Sequence, residues 1–156
     1  MSIKLKVVVL DDNEPIADNI GNMLFRDENI ESVFVEHDGE EGLISILNNE
    51  PDLIFTDNQM PKKTGIELIE ELEHYTFEEK PKVVLVTGDT DPGIYQKARE
   101  LGFEIVQKPI SEETVHRIVK EVVDGQVTDY IKKSEVENKT SNKSKRLFSK
   151  WLNNRK

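Results

Sequence analysis

The chain has 156 residues with 21 Lys/Arg, 31 Asp/Glu and no cysteine. That length predicts one domain with a tail, and the absence of cysteine excludes a disulfide framework and a thiolate metal site. Residues 1–125 hold 12 Lys/Arg against 28 Asp/Glu, net −16, whereas residues 126–156 hold 9 against 3, net +6. An acidic body does not suit nucleic acid, whose phosphates require a basic face.

The first apolar run, Val7-Val8-Val9-Leu10, is too short for a signal-peptide core, and no run reaches membrane-spanning length. The expectation is a cytoplasmic protein. Residues 4–10 predict a first strand ending in Asp11-Asp12, and Asn13, Glu14 and Pro15 read as a helix entrance. Ile16, Ile20, Met23 and Leu24 recur at helical spacing to about Arg26. A weaker strand over 32–36 follows, then a helix over 39–47 with Leu43, Ile44 and Leu47 on one face.

Leu53-Ile54-Phe55 is an apolar run that ends in Thr56-Asp57, with a Met60-Pro61 turn close behind. Its pattern fits a strand buried on both faces, as in a parallel sheet covered by helices. A helix is predicted from Gly65 to about Tyr75, with Ile66, Ile69 and Leu72 on one face. The run 82–86 predicts a fourth strand ending in Thr87-Gly88-Asp89. Residues 92–101 read as a helix capped by Gly102, and 104–106 as a short fifth strand ended by Lys108-Pro109. Ser111 starts a last helix as N-cap, predicted to run to about Asp124 with Gly125 as its stop. Strict alternation of five strands and five helices predicts a doubly wound parallel α/β sheet. GxGxxG and Walker A patterns are both absent, which argues against a dinucleotide or P-loop enzyme.

In a parallel sheet the ligand crevice lies beyond the carboxyl ends of the strands. Four strand ends here carry Asp11-Asp12, Asp57, Thr87 and Lys108. Each has an ordinary reading: acids as helix-dipole partners, Thr as a turn residue, Lys as a solvated edge charge. Their joint placement on one sheet edge is what favours chemistry. Clustered carboxylates repel and raise one another's pKa unless a cation joins them, and hard oxygen ligands suit Mg²⁺. A carboxylate so placed can attack a phosphoryl group in line, with the cation and a Lys neutralising the charge on its oxygens.

The segments VVVLDDNEP, LIFTDNQMPKKTG, VVLVTGD and VQKPI, in this order, resemble the receiver domain of two-component response regulators over about residues 4–124. The resemblance implies a flavodoxin-like (βα)5 fold with strand order 2-1-3-4-5 and a stand-alone receiver over 1–125. It implies Asp57 as phosphoacceptor, with Asp11, Asp12, Asp57 and the Asn58 backbone carbonyl holding Mg²⁺. Thr87 would hydrogen-bond the phosphoryl group, Lys108 would pair with it, and Lys108–Pro109 would be cis. Gln59 and Asp89 occupy positions that tune phosphoryl lifetime in the family. A histidine kinase or phosphotransfer protein would be the donor, and an output protein would read the face of strands four and five. One position departs from the pattern: the family's switch aromatic is replaced by Ile105, and Phe103 lies two residues earlier, where strand alternation puts it on the same face.

Ile105 supports a rival reading, a phosphorylation-independent binding module on the receiver fold. A haloacid-dehalogenase-type phosphatase is a third, but that family places an Asp two residues after its nucleophile, where this chain has Gln59. Residues 126–143 read as a flexible polar linker. Residues 144–156 read either as a disordered basic end or as a short basic amphipathic helix with Leu147, Phe148, Trp151 and Leu152 on one face, suited to docking on a membrane, a partner or the acidic body.

Overall fold

The computed structural model describes residues 2–155. The elements run β1 (Leu5–Leu10), α1 (Glu14–Phe25), β2 (Ile30–Glu36), α2 (Gly39–Asn49), β3 (Leu53–Thr56), α3 (Gly65–Leu72), β4 (Lys82–Thr87), α4 (Pro92–Leu101), β5 (Glu104–Gln107) and α5 (Glu112–Asn153). The five strands pair in parallel in the order β2-β1-β3-β4-β5, the flavodoxin-like order.

Strand alternation sorts the apolar runs onto the two sheet faces. Leu5, Val7 and Val9 of β1, Leu53 and Phe55 of β3, and Val84 and Val86 of β4 pack with Ala17, Ile20 and Leu24 of α1 and Val115, Ile118 and Val119 of α5. The opposite face takes Val8, Leu10 and Ile54 against Ile46 of α2 and Leu68 and Leu72 of α3. Next to it, Leu85 packs with Ile69, Ile94 and Phe103. Both faces of the sheet are therefore covered, which is why these strands read as unbroken apolar runs.

The register aligns the strand ends. Leu10 pairs with Thr56, so Asp11 and Asp57 leave the sheet side by side. Thr87 pairs with Gln107, so Lys108 follows directly opposite.

Several boundaries differ from the sequence reading. β2 begins at Ile30 rather than residue 32, because Ile30 pairs with Leu5 across a register shift between Leu5 and Lys6. In α2 the buried positions are Gly39, Gly42, Ser45 and Ile46, while Ile44 is 54% exposed. A Cβ on Gly42 would lie 2.8 Å from the Leu10 methyl carbons. The helix thus presses its glycine against β1, and this rotation turns Ile44 outward. α3 ends at Leu72 because the amides of Glu73, His74 and Tyr75 bond three residues back, to Glu70, Glu71 and Leu72, tightening the last turn.

The largest difference is in α5. The sequence reading places a stop at Gly125 and a linker over 126–143; the helix instead runs through Asn153. A lone interior Gly costs only about 1 kcal/mol relative to Ala, and no Pro follows Pro109 to break the run. Thr128 and Thr140 bond their hydroxyls to the carbonyls of Asp124 and Val136 one turn back, each at 3.0 Å, so these polar residues continue the helix instead of competing with it. The chain divides into two compact units with the boundary between Val123 and Asp124. Among the described residues no helix is long and apolar enough to cross a membrane.

Candidate functional site

The strand order reverses direction at β1 and β3, and the crevice of a doubly wound sheet opens at that point. Asp11 and Asp57 stand there, both buried. The Asp57 amide donates to Leu10 O at 2.8 Å and the Asp11 amide to Glu36 O at 3.2 Å, so the ladder fixes both backbones one residue past the strands. Asp11 Oδ1 accepts from the Asn13 amide at 2.9 Å, which holds the turn into α1. His37 Nδ1 lies 2.9 Å from the Asp11 carbonyl oxygen, tying the end of β2 to the same turn.

Asp12 is exposed and completes the group: single carboxylate oxygens of Asp11, Asp12 and Asp57 lie within 4.8 Å of one another. Lys108 Nζ reaches between the two buried acids, 2.8 Å from Asp11 Oδ2 and 3.2 Å from Asp57 Oδ2. Burial pushes the Asp57 carboxyl above its usual range; Lys108 pulls it back and Asp11 raises it further, with a net rise. Burial works against the Lys108 ammonium, but Asp11 and Asp57 more than offset it and hold the group above its ordinary value. Three acids against one ammonium leave the cluster negative. Its hard oxygen donors, close set and partly buried, fit a small divalent cation such as Mg²⁺.

Asn58 acts through three groups. Its amide donates to Asp57 Oδ1 at 2.7 Å, its carbonyl accepts from the Gly65 amide at 2.9 Å, and its side-chain oxygen accepts from the Ile66 amide at 3.1 Å. The start of α3 is thereby tied to the loop after Asp57. A Cβ on Gly65 would lie 2.2 Å from the Asp57 carbonyl oxygen, so only glycine permits this approach. Thr64 caps the helix with Glu67 in a reciprocal capping box. Neither Gly65 nor the Asn58 side chain stood out in the sequence as part of the site. The signal available was Thr64-Gly65 opening the helix after Asp57, a small residue just where the backbones meet.

Thr87 is buried at the end of β4, and its hydroxyl oxygen accepts from the Asp89 amide at 3.0 Å. Its carbonyl accepts from the Lys108 amide at 3.0 Å, so the ends of β4 and β5 are joined at the site. The Lys108–Pro109 peptide bond is cis. Asp57, Gln59, Thr87, Gly88, Asp89, Thr90 and Lys108 line one open cleft of about 450 Å³. Gln59 and Asp89 are therefore walls of the cleft that holds Asp57. Ile105 is half-buried beside Leu85, on the sheet face that Thr87 shares by strand alternation, against the cluster of Ile69, Leu85, Ile94 and Phe103. Phe103 shares that face and is buried.

The family model described as the response regulator receiver domain matches residues 7–120. Over 124 residues the chain is 32% identical to a protein-glutamate methylesterase/protein-glutamine glutaminase of Koribacter versatilis, a match covering 76% of this chain. The chain spans about a third of the length of that relative, 33%. Among solved structures, it is similar to the signal receiver domain of the response regulator NarL from Mycobacterium tuberculosis, at TM-score 0.68 and 25% identity, covering 78% of this chain and 95% of that one. It is similar to the chemotaxis response regulator CheY4 of Vibrio cholerae at TM-score 0.66 and 25% identity, covering 76% and 98%.

Proposed function

The chain belongs to the response regulator receiver domain family, and from that membership we propose that it accepts a phosphoryl group on Asp57 and signals by protein contact. The observation that carries this reading is the meeting of Asp11, Asp12 and Asp57 within 4.8 Å, with Lys108 bridging the two buried acids. Asp57 supplies the nucleophile. One carboxylate oxygen bonds to phosphorus as the donor's own bond to that phosphorus breaks, and the donor leaves with the electron pair. The donor class is a histidine kinase or a phosphotransfer protein.

Asp11, Asp12, the second oxygen of Asp57 and the Asn58 carbonyl would hold Mg²⁺, which when bound neutralises charge on the phosphoryl oxygens. The Asn58 carbonyl spends one lone pair on the Gly65 amide and keeps the other for a cation. Lys108, already between the acids, would turn to a phosphoryl oxygen, and the Thr87 hydroxyl would donate to another. Gln59 and Asp89 would govern access of the hydrolytic water from the cleft walls, and so the lifetime of the acyl phosphate.

A phosphoryl group adds negative charge and acceptor oxygens to this edge. Thr87 is the group drawn in, and its backbone is hydrogen-bonded to Lys108, so the motion would pass to β4, β5 and α4, the face that an output protein would read. Ile105 favours a second reading. An aliphatic residue on that face lacks the family's aromatic switch, and a phosphorylation-independent binding module would need none. The methylesterase in the relative's name belongs to a protein about three times the matched length, and the constellation here is read as an acceptor, not a turnover catalyst.

The test is intact-mass detection after incubation with acetyl phosphate, with and without Mg²⁺, for the wild type and Asp57→Ala. One phosphoryl adduct that requires both Mg²⁺ and Asp57 is expected. No adduct, where a control receiver is labelled, would transfer the reading to the binding module.

A further inference from the structure

We propose that the basic end of α5 is a docking surface for an anionic lipid surface. Residues 138–156 carry seven Lys/Arg and no Asp/Glu. Within that stretch Leu147, Phe148, Trp151 and Leu152 fall at i, i+1, i+4 and i+5, on one side of the helix. All four are between 45% and 60% exposed. The rings of Phe148 and Trp151 stack at 5.9 Å and 22°, and the Arg155 guanidinium sits over the Trp151 ring at 4.1 Å. The apolar side chains thus form one continuous patch. On helical geometry Lys145 borders it on one side and Lys150 on the other.

Cations around an aromatic and leucine patch are the composition of a helix that lies in a lipid interface, where rings and methyl groups enter the acyl boundary and the ammonium groups meet anionic headgroups. A second copy of the chain fits less well. Stepping back from Phe148 at coiled-coil spacing meets Ser144, Ser141, Glu137 and Ser134, so the apolar seam breaks after barely one turn, and two such basic ends repel. The patch is small, so binding depends on both the apolar and the electrostatic contribution.

Trp151 is the only tryptophan in the chain, so its emission reports on this surface alone. The experiment titrates the full chain with phosphatidylcholine vesicles, with and without phosphatidylglycerol. A blue shift is expected on the anionic vesicles, absent on phosphatidylcholine alone and reversed by salt. Lys145→Glu/Lys150→Glu should weaken partition by at least about tenfold, and Leu147→Glu/Leu152→Glu should abolish the shift. Circular dichroism would check that each variant keeps its helix. The proposal is overturned by no shift on anionic vesicles, by an equal shift on neutral ones, or by an unchanged shift in the Leu147→Glu/Leu152→Glu protein. A comparable shift with polyglutamate or RNA would assign the surface to an acidic polymer instead of lipid. Asp57→Ala should bind vesicles as the wild type does, which separates this proposal from the phosphoacceptor reading.

Discussion

At Asp57 one carboxylate answers to opposing demands. Burial and the neighbouring Asp11 disfavour its charge, Lys108 favours it, and the balance leaves its pKa above the usual range. With a folded value above the unfolded one, the ionised group costs native stability at neutral pH, and that cost fades as pH falls through the folded value. Asp57→Asn is therefore expected to raise the denaturation midpoint in metal-free buffer at neutral pH, with the gap closing toward the carboxylate range. Added Mg²⁺ should raise the wild-type midpoint more than that of the variant. A lower midpoint for the variant would mean that the Lys108 ion pair outweighs burial. The acids, the Thr and the Lys were legible in the sequence, because each stands within two residues of the end of a short apolar run that reads as a strand. Gly65 was not. Its requirement comes from the Asp57 carbonyl 2.2 Å from where a Cβ would stand, a contact across the loop that no local pattern encodes.

Helix identity and helix length had different causes. The existence of α1 to α4 followed from apolar spacing and caps, which are local. The rotation of α2 did not: Ile44 fits the periodic stripe, yet Gly42 against Leu10 decides which side lies down. In α5 the stop expected at Gly125 gave way because one glycine is a small penalty and no proline follows Pro109 to end the run. A Cβ at Gly125 would meet nothing within 4 Å. Gly125→Ala is accordingly expected to stabilise α5 by up to about 1 kcal/mol, read as higher helicity on heating in far-ultraviolet circular dichroism. Unchanged or reduced helicity would show that residues near 125 are not helical in solution.

For the whole molecule, the buried residues of α5, Val115, Ile118 and Val119, all precede the boundary after Val123, as do Val122 and Val123, which pack on the same cluster. A chain ending at residue 125 is thus expected to unfold cooperatively within about 1 kcal/mol of the full chain, because the removed residues contribute little core. It should keep acetyl phosphate labelling and lose vesicle binding. A large drop in stability would place core contacts beyond residue 125. The alternation of strands and helices, the covered sheet and the polar strand ends were determined by the sequence, since burial on two faces and helical periodicity are written in consecutive residues. Only the tertiary structure decided which strand ends meet. Pairing of Leu10 with Thr56, and of Thr87 with Gln107, brings Asp11, Asp57, Thr87 and Lys108 into one crevice from positions nearly a hundred residues apart. Register is a property of paired strands, and no single segment carries it.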